Sequence, residues 1–118
     1  MWVTPEQLVT QMFMTKKEIL NSITDISIKI MPEGAQVILF GSQARGDANC
    51  NSDWDILVLL NKKSITPDDH DNYTYPLVEL GWAIDAQIHP IMYTINDWEK
   101  RKNFPLYQII SNEGVRIC

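Results

Sequence analysis

Two aspartates, Asp53 and Asp55, open an apolar run, Ile56-Leu57-Val58-Leu59-Leu60, and a small-residue pair, Gly41-Ser42, closes an earlier one, Val37-Ile38-Leu39-Phe40. On a strand, successive side chains alternate faces, so Asp53 and Asp55 project from the same side. Carboxylates held that close repel each other, and a divalent cation relieves the repulsion. A turn of small residues beside them offers backbone N–H groups and a hydroxyl to a phosphate. Metal carboxylates next to a phosphate cradle form the layout of a phosphoryl- or nucleotidyl-transfer site. Arg45 either neutralises phosphate charge there or braces the loop through Asp47.

The apolar runs predict the elements that hold these groups. Gln36–Phe40 reads as a first strand and Trp54–Leu60 as a second, joined through the loop Gly46–Ser52. Between the aspartates, Trp54 points to the opposite face and should pack under helices. Thr4-Pro5-Glu6-Gln7 resembles a capped helix start, and Leu8, Met12, Phe13, Ile19, Leu20, Ile23 and Ile26 recur near helical spacing. One long amphipathic helix to about Met31, whole or broken near Asp25, is the expectation. Pro32-Glu33-Gly34 is a turn. Thr66-Pro67-Asp68-Asp69 opens a further helix, which Pro76 should break or restart. Ala83–His89 alternates strictly and predicts a strand, with Asp85, Gln87 and His89 on one face. Asn96–Glu99 reads as a short helix. Pro105 opens a last one, with Gly114 as its C′ residue. The fold class is therefore α/β (α+β), a small mixed sheet with helices on one face and an open active-site face.

Composition bounds the partners. At 118 residues, 45% hydrophobic and 21% charged, residues 1–118 are expected to form a single domain. No apolar stretch is long enough to span a bilayer, so a cytoplasmic protein without membrane contact is expected. Cys50 and Cys118 form no metal-type pair and read as free thiols. The net charge of −5 and the scattered basic residues disfavour unaided binding to RNA or DNA. Lys100-Arg101-Lys102 reads as a solvated face. Trp2, Trp82 and Trp98 are expected to fill core edges. His89 reads as a polar residue at the cleft edge or a partner contact.

Gly41-Ser42, ten residues, then Asp53-x-Asp55 is similar to the signature of the DNA-polymerase-beta-like nucleotidyltransferase superfamily. The fuller string Gly-Ser-x-Ala-Arg-Gly through Ser-Asp-x-Asp resembles its minimal nucleotidyltransferase (MNT) domains, and the resemblance runs from about Leu39 to Ile117. It includes Phe104-Pro105-Leu106-Tyr107-Gln108-Ile109-Ile110 and Glu113-Gly114-Val115. Trp54 departs from it, standing where relatives carry a branched aliphatic residue.

The resemblance implies a nucleotidyltransferase fold and a third carboxylate on a later strand, a place that Asp85 would fill. It implies Asp53, Asp55 and Asp85 as catalytic ligands of two Mg²⁺ ions, with Asp85 also taking the acceptor proton. Gly41, Ser42 and Arg45 would bind the nucleotide, ATP being the expected substrate. It further implies AMP transfer to a hydroxyl of a partner protein, a HEPN-type toxin, with this chain as the antitoxin. Two other readings stand beside it: a catalytically silent nucleotide- or toxin-binding module, and an antibiotic-type small-molecule nucleotidyltransferase acting as a dimer. Self-association is left open.

Overall fold

In the computed structural model, residues 14–49 and 51–118 are described. The proposed cap at Thr4, the apolar positions Leu8, Met12 and Phe13, Trp2 and Cys50 lie outside them. Helix α1 spans Lys16–Ile30 and starts at Thr15, whose extended backbone (φ −71°, ψ 160°) cannot continue a helix from before it. The Thr15 hydroxyl accepts from the Glu18 N–H and the Glu18 carboxylate accepts from the Thr15 N–H, both at 3.1 Å. The expectation of one helix running through from the Thr4 region is thus corrected at Thr15. No break occurs near Asp25, which lies within an unbroken α1.

Strands β1 (Gln36–Phe40) and β2 (Trp54–Leu60) occupy the predicted residues. They pair antiparallel, with Phe40 opposite Asp55. Strand β3 (Ile88–Thr94) runs parallel to β2, and the short β4 (Val115–Arg116) pairs antiparallel with β1, in the order β3-β2-β1-β4. The sheet is mixed, as expected.

Strand β2 is apolar on both faces because it is covered on both. Trp54, Ile56, Val58 and Leu60 pack with Val37, Leu39 and Ile88 beneath Ile23 of α1 and Leu77 of α4 (Tyr75–Ile84). Trp54 thus points away from the aspartates, as its alternation requires, and is buried. On the other face, Leu57 and Leu59 meet Trp98 of α5 (Ile95–Glu99) and Ile110 of α6 (Pro105–Glu113). The open face is therefore narrower than expected, confined to the end of the sheet where Asp53 and Asp55 lie.

Between β2 and α4, a one-turn helix α3 (Pro67–Asp69) widens into a π-helical turn over His70–Thr74. Pro76 then falls in the first turn of α4, where its missing N–H and rigid ring are tolerated. This is the expected restart.

The strand predicted at Ala83–His89 is corrected. Helix α4 continues through Ile84, and Asp85 ends it in the left-handed region (φ 56°, ψ 46°). The Ala86 N–H closes on the Gly81 carbonyl at 2.9 Å. A Cβ on Gly81 would stand 2.5 Å from the Ala86 carbonyl oxygen, so glycine lets the chain turn back over its own helix. Gly114 does end α6, but in extended conformation (φ −65°) rather than as a left-handed C′ residue, because the chain leads straight into β4. Trp98 is buried, whereas Trp82 is 68% exposed, stacked edge-on to Tyr75, and fills no core. Among the described residues no helix is long and apolar enough to cross a membrane.

Candidate active site

Strand β1 delivers Gly41 to the mouth of the sheet, where a single helical turn, α2 (Ser42–Arg45), begins. Gly41 has φ 77° and ψ −160°, a region open in practice only to glycine. A second constraint acts on the same atom. A Cβ on Gly41 would overlap the Asp55 carboxylate, Oδ2 above all. The turn backbone and Asp55 therefore touch, so a phosphate seated on the turn would lie beside that carboxylate.

Asp53 and Asp55 sit at the start of β2, on the face shared with Leu57 and Leu59. Burial pushes the Asp55 carboxyl above its usual range, and the charge of Asp53 adds to the push. His89 and Arg45 pull it back down, while Glu113 raises it further. The loop before Asp53 is braced by its own polar groups. The Ser52 hydroxyl accepts from the Asn49 N–H at 2.9 Å, and the Gln43 side chain donates to the Ser52 carbonyl at 3.3 Å. Through Gln43, the Gly41–Arg45 turn is tied to the loop that leads into Asp53 and Asp55.

Arg45 braces the loop in this structure. Its Nε donates to Asp47 Oδ2 at 3.1 Å, and its Nη1 to both oxygens of Glu113 at 3.1 and 3.2 Å. Glu113 also accepts the Gly41 N–H at 3.1 Å. The sequence reading gave Glu113 no role. Its signals there were its place at the very end of a helix and in the family-like ending Glu113-Gly114-Val115, and its partners are 68 and 72 residues away.

Asp85 is placed differently from the expected strand position. It caps α4 and lines a groove of 910 Å³ together with Tyr75, Trp82, Gln87 and His89. The β3 residue opposite Asp55 is His89, whose Nε2 lies 3.5 Å from Asp53 Oδ1, both side chains about half exposed. Among the described residues, no three His, Cys, Asp or Glu side chains converge as a caged metal would require. Two adjacent carboxylates against a glycine turn still suit Mg²⁺, which is held by one or two carboxylates plus substrate phosphates and water rather than by an all-protein cage.

The nucleotidyltransferase domain family matches residues 16–114. Among curated proteins, no sequence matches the chain. Solved structures of similar fold include a toxin–antitoxin with AMP-PNP, at 21% identity and TM-score 0.61, covering 84% of this chain and 72% of that one. A toxin–antitoxin MntA–HpeT mutant follows at 18% identity and TM-score 0.58, covering 84% of this chain and 71% of its own. A third is the tri-AMPylated Shewanella oneidensis HEPN toxin in complex with MNT antitoxin, at 17% identity and TM-score 0.56, with 88% of this chain and 72% of that one covered.

Proposed function

This chain belongs to the nucleotidyltransferase domain family, and from that premise we propose that it transfers AMP from ATP to a hydroxyl on a partner protein, as the antitoxin of a HEPN/MNT toxin–antitoxin pair. The observation that carries the transfer chemistry is the contact between the Gly41 turn and Asp55, with Asp53 on the same face. It supports a phosphate cradle and metal carboxylates sharing one small volume.

In this reading the turn amides and the Ser42 hydroxyl hold the triphosphate. Asp53 and Asp55 hold the cation. Bound Mg²⁺ would neutralise the phosphate charge and polarise the α-phosphate for displacement. The acceptor oxygen bonds to the α-phosphorus, the bond to the β-phosphate bridging oxygen breaks, pyrophosphate leaves, and the hydroxyl proton is released. Positioning supplies most of the acceleration in such a reaction.

Support for a protein acceptor comes from two directions. The similar structures are toxin–antitoxin complexes, one of them with an AMPylated toxin. The chain's net charge of −5 disfavours a polyanionic acceptor. The groove at Gln87 and His89 opens beside the carboxylates and offers room for an approaching hydroxyl.

The test is co-expression with the protein encoded next to it, co-purification, and intact-mass measurement with Mg-ATP. Added AMP units on that neighbour, lost in Asp53→Ala, are the expected result. ATP binding with no adduct would leave only a binding module. An adduct confined to an aminoglycoside would move the acceptor to a small molecule. Tight, salt-sensitive binding of bare RNA without an adduct would overturn the reading.

A further inference from the structure

We propose that this site takes one divalent cation with its nucleotide rather than two, because His89 stands where a second ion would need an anionic ligand. The inference rests on the nucleotidyl-transfer reading and deepens it.

A two-ion phosphoryl-transfer site sets its cations roughly 3.5–4 Å apart, one on each side of the reacting phosphate. Both ions ask for hard, anionic oxygen ligands. Asp53 and Asp55 serve the first. The second needs a further carboxylate on the same sheet face, and among the described residues only β3 lies beside β2 on that side.

The parallel register decides which β3 side chains qualify. Asp55 is opposite His89, so the two project from the same face. The Trp54 N–H donates to the Gln87 carbonyl at 2.8 Å, which sets Gln87 beside Asp53. Those positions hold an amide and an imidazole. Neither brings negative charge, and imidazole prefers softer metals than Mg²⁺. His89 instead turns Nε2 toward Asp53 Oδ1 at 3.5 Å.

The other carboxylates nearby are spoken for or displaced. Glu113 accepts from Arg45 and from the Gly41 amide. Asp85 belongs to the left-handed cap before β3 and takes no place in the register that sets β3 side chains opposite Asp53 and Asp55. Among the described residues that leaves two carboxylates, enough for one cation completed by phosphate oxygens and water.

The test counts metal directly, without turnover. The full chain is saturated with α,β-methylene-ATP, whose α–β linkage cannot be cleaved, and titrated with Mn²⁺ while free Mn²⁺ is read by electron paramagnetic resonance. One protein-bound Mn²⁺ per nucleotide complex is expected for the wild type and for Asp85→Asn. His89→Asp should raise the count to two, by adding the missing carboxylate opposite Asp55. Two ions in the wild type, or a count lowered by Asp85→Asn, would overturn the proposal while leaving nucleotide transfer standing. A count of one in a folded His89→Asp would overturn the role given to His89. No metal-dependent nucleotide binding at all would overturn both this inference and the reading beneath it.

Discussion

The contact between Gly41 and Asp55 can be measured as a coupling energy. Gly41→Ala meets two separate penalties. The backbone at φ 77° and ψ −160° is essentially closed to alanine, a strain of about 1–3 kcal/mol. The new methyl also overlaps the Asp55 carboxylate, so that side chain must leave its place. Asp55→Ala removes the second penalty and not the first. Its Oδ2 and Cγ are the close atoms, whereas its Cβ would lie 3.4 Å from the new methyl, an ordinary contact. Gly41→Ala should therefore cost about 2–5 kcal/mol in the wild type and about 1–3 kcal/mol with Asp55→Ala. The coupling should be on the order of 1–2 kcal/mol, within the range found for residues in contact. Urea denaturation without metal reads it. At this chain length each kcal/mol also moves Tm by roughly 3–5 °C, so thermal melts give an independent check. Strict additivity would refute the contact, and with it the claim that the Gly41 turn and Asp55 share one wall. A near-neutral Gly41→Ala would refute the backbone argument as well.

Three further outcomes follow from the same geometry. Asp55 has its folded pKa raised, so its ionisation costs stability as pH rises through that value; Asp55→Asn should melt higher than wild type at pH 7 without metal, and the gap should close as pH falls below the ordinary carboxylate range, in thermal melts across pH. Mg-ATP should raise Tm more than ATP in EDTA, and Ser42→Ala should weaken Mg-ATP binding by about 1.5–3 kcal/mol, the worth of one charge-assisted hydrogen bond, by calorimetry; equal shifts with and without Mg²⁺ would count against a metal-bridged triphosphate. Asp69 is held below its usual range chiefly by Lys62, whose Nζ lies 2.7 Å from it, so its contribution is present above the ordinary carboxylate pKa and fades as pH falls through the lowered one; Lys62→Ala should destabilise at neutral pH and differ less from wild type in acid.

How much of this was legible in the sequence depended on whether the deciding contact was local. Strands β1 and β2 are apolar runs bounded by turn residues, and period-two alternation alone put Asp53 and Asp55 on one face and Trp54 on the other. Pro105 marks a helix start through its own backbone, and the short helix read at Asn96–Glu99 begins at a cap that the sequence reading did not use, the Thr94 hydroxyl accepting from the Asp97 N–H at 3.1 Å. Residues Ala83–His89 were different. Their alternation is real, but a helix arriving from Tyr75 satisfies Ala83 and Ile84 equally well. What ends the helix at Asp85 is a closure between Ala86 and Gly81, a backbone event with no periodic signature. The two-residue β4 is too short to carry a pattern of its own. Glu113 was beyond reach for a simpler reason: its worth lies in meeting Gly41 and Arg45 across most of the chain.

That last contact bears on how the site works. Glu113 engages the Gly41 amide and the Arg45 guanidinium, which are the donors an incoming phosphate would seek. Its carboxylate also adds to the charge that disfavours ionised Asp55. Three negative groups, Asp53, Asp55 and Glu113, thus surround one glycine turn, with Arg45 facing both Glu113 and Asp47. A phosphate entering without a cation would meet net repulsion there. A phosphate entering with one would bring the positive charge that Asp53 and Asp55 lack. The electrostatics of the turn therefore favour metal–nucleotide over free nucleotide, independently of which hydroxyl finally receives the transferred group.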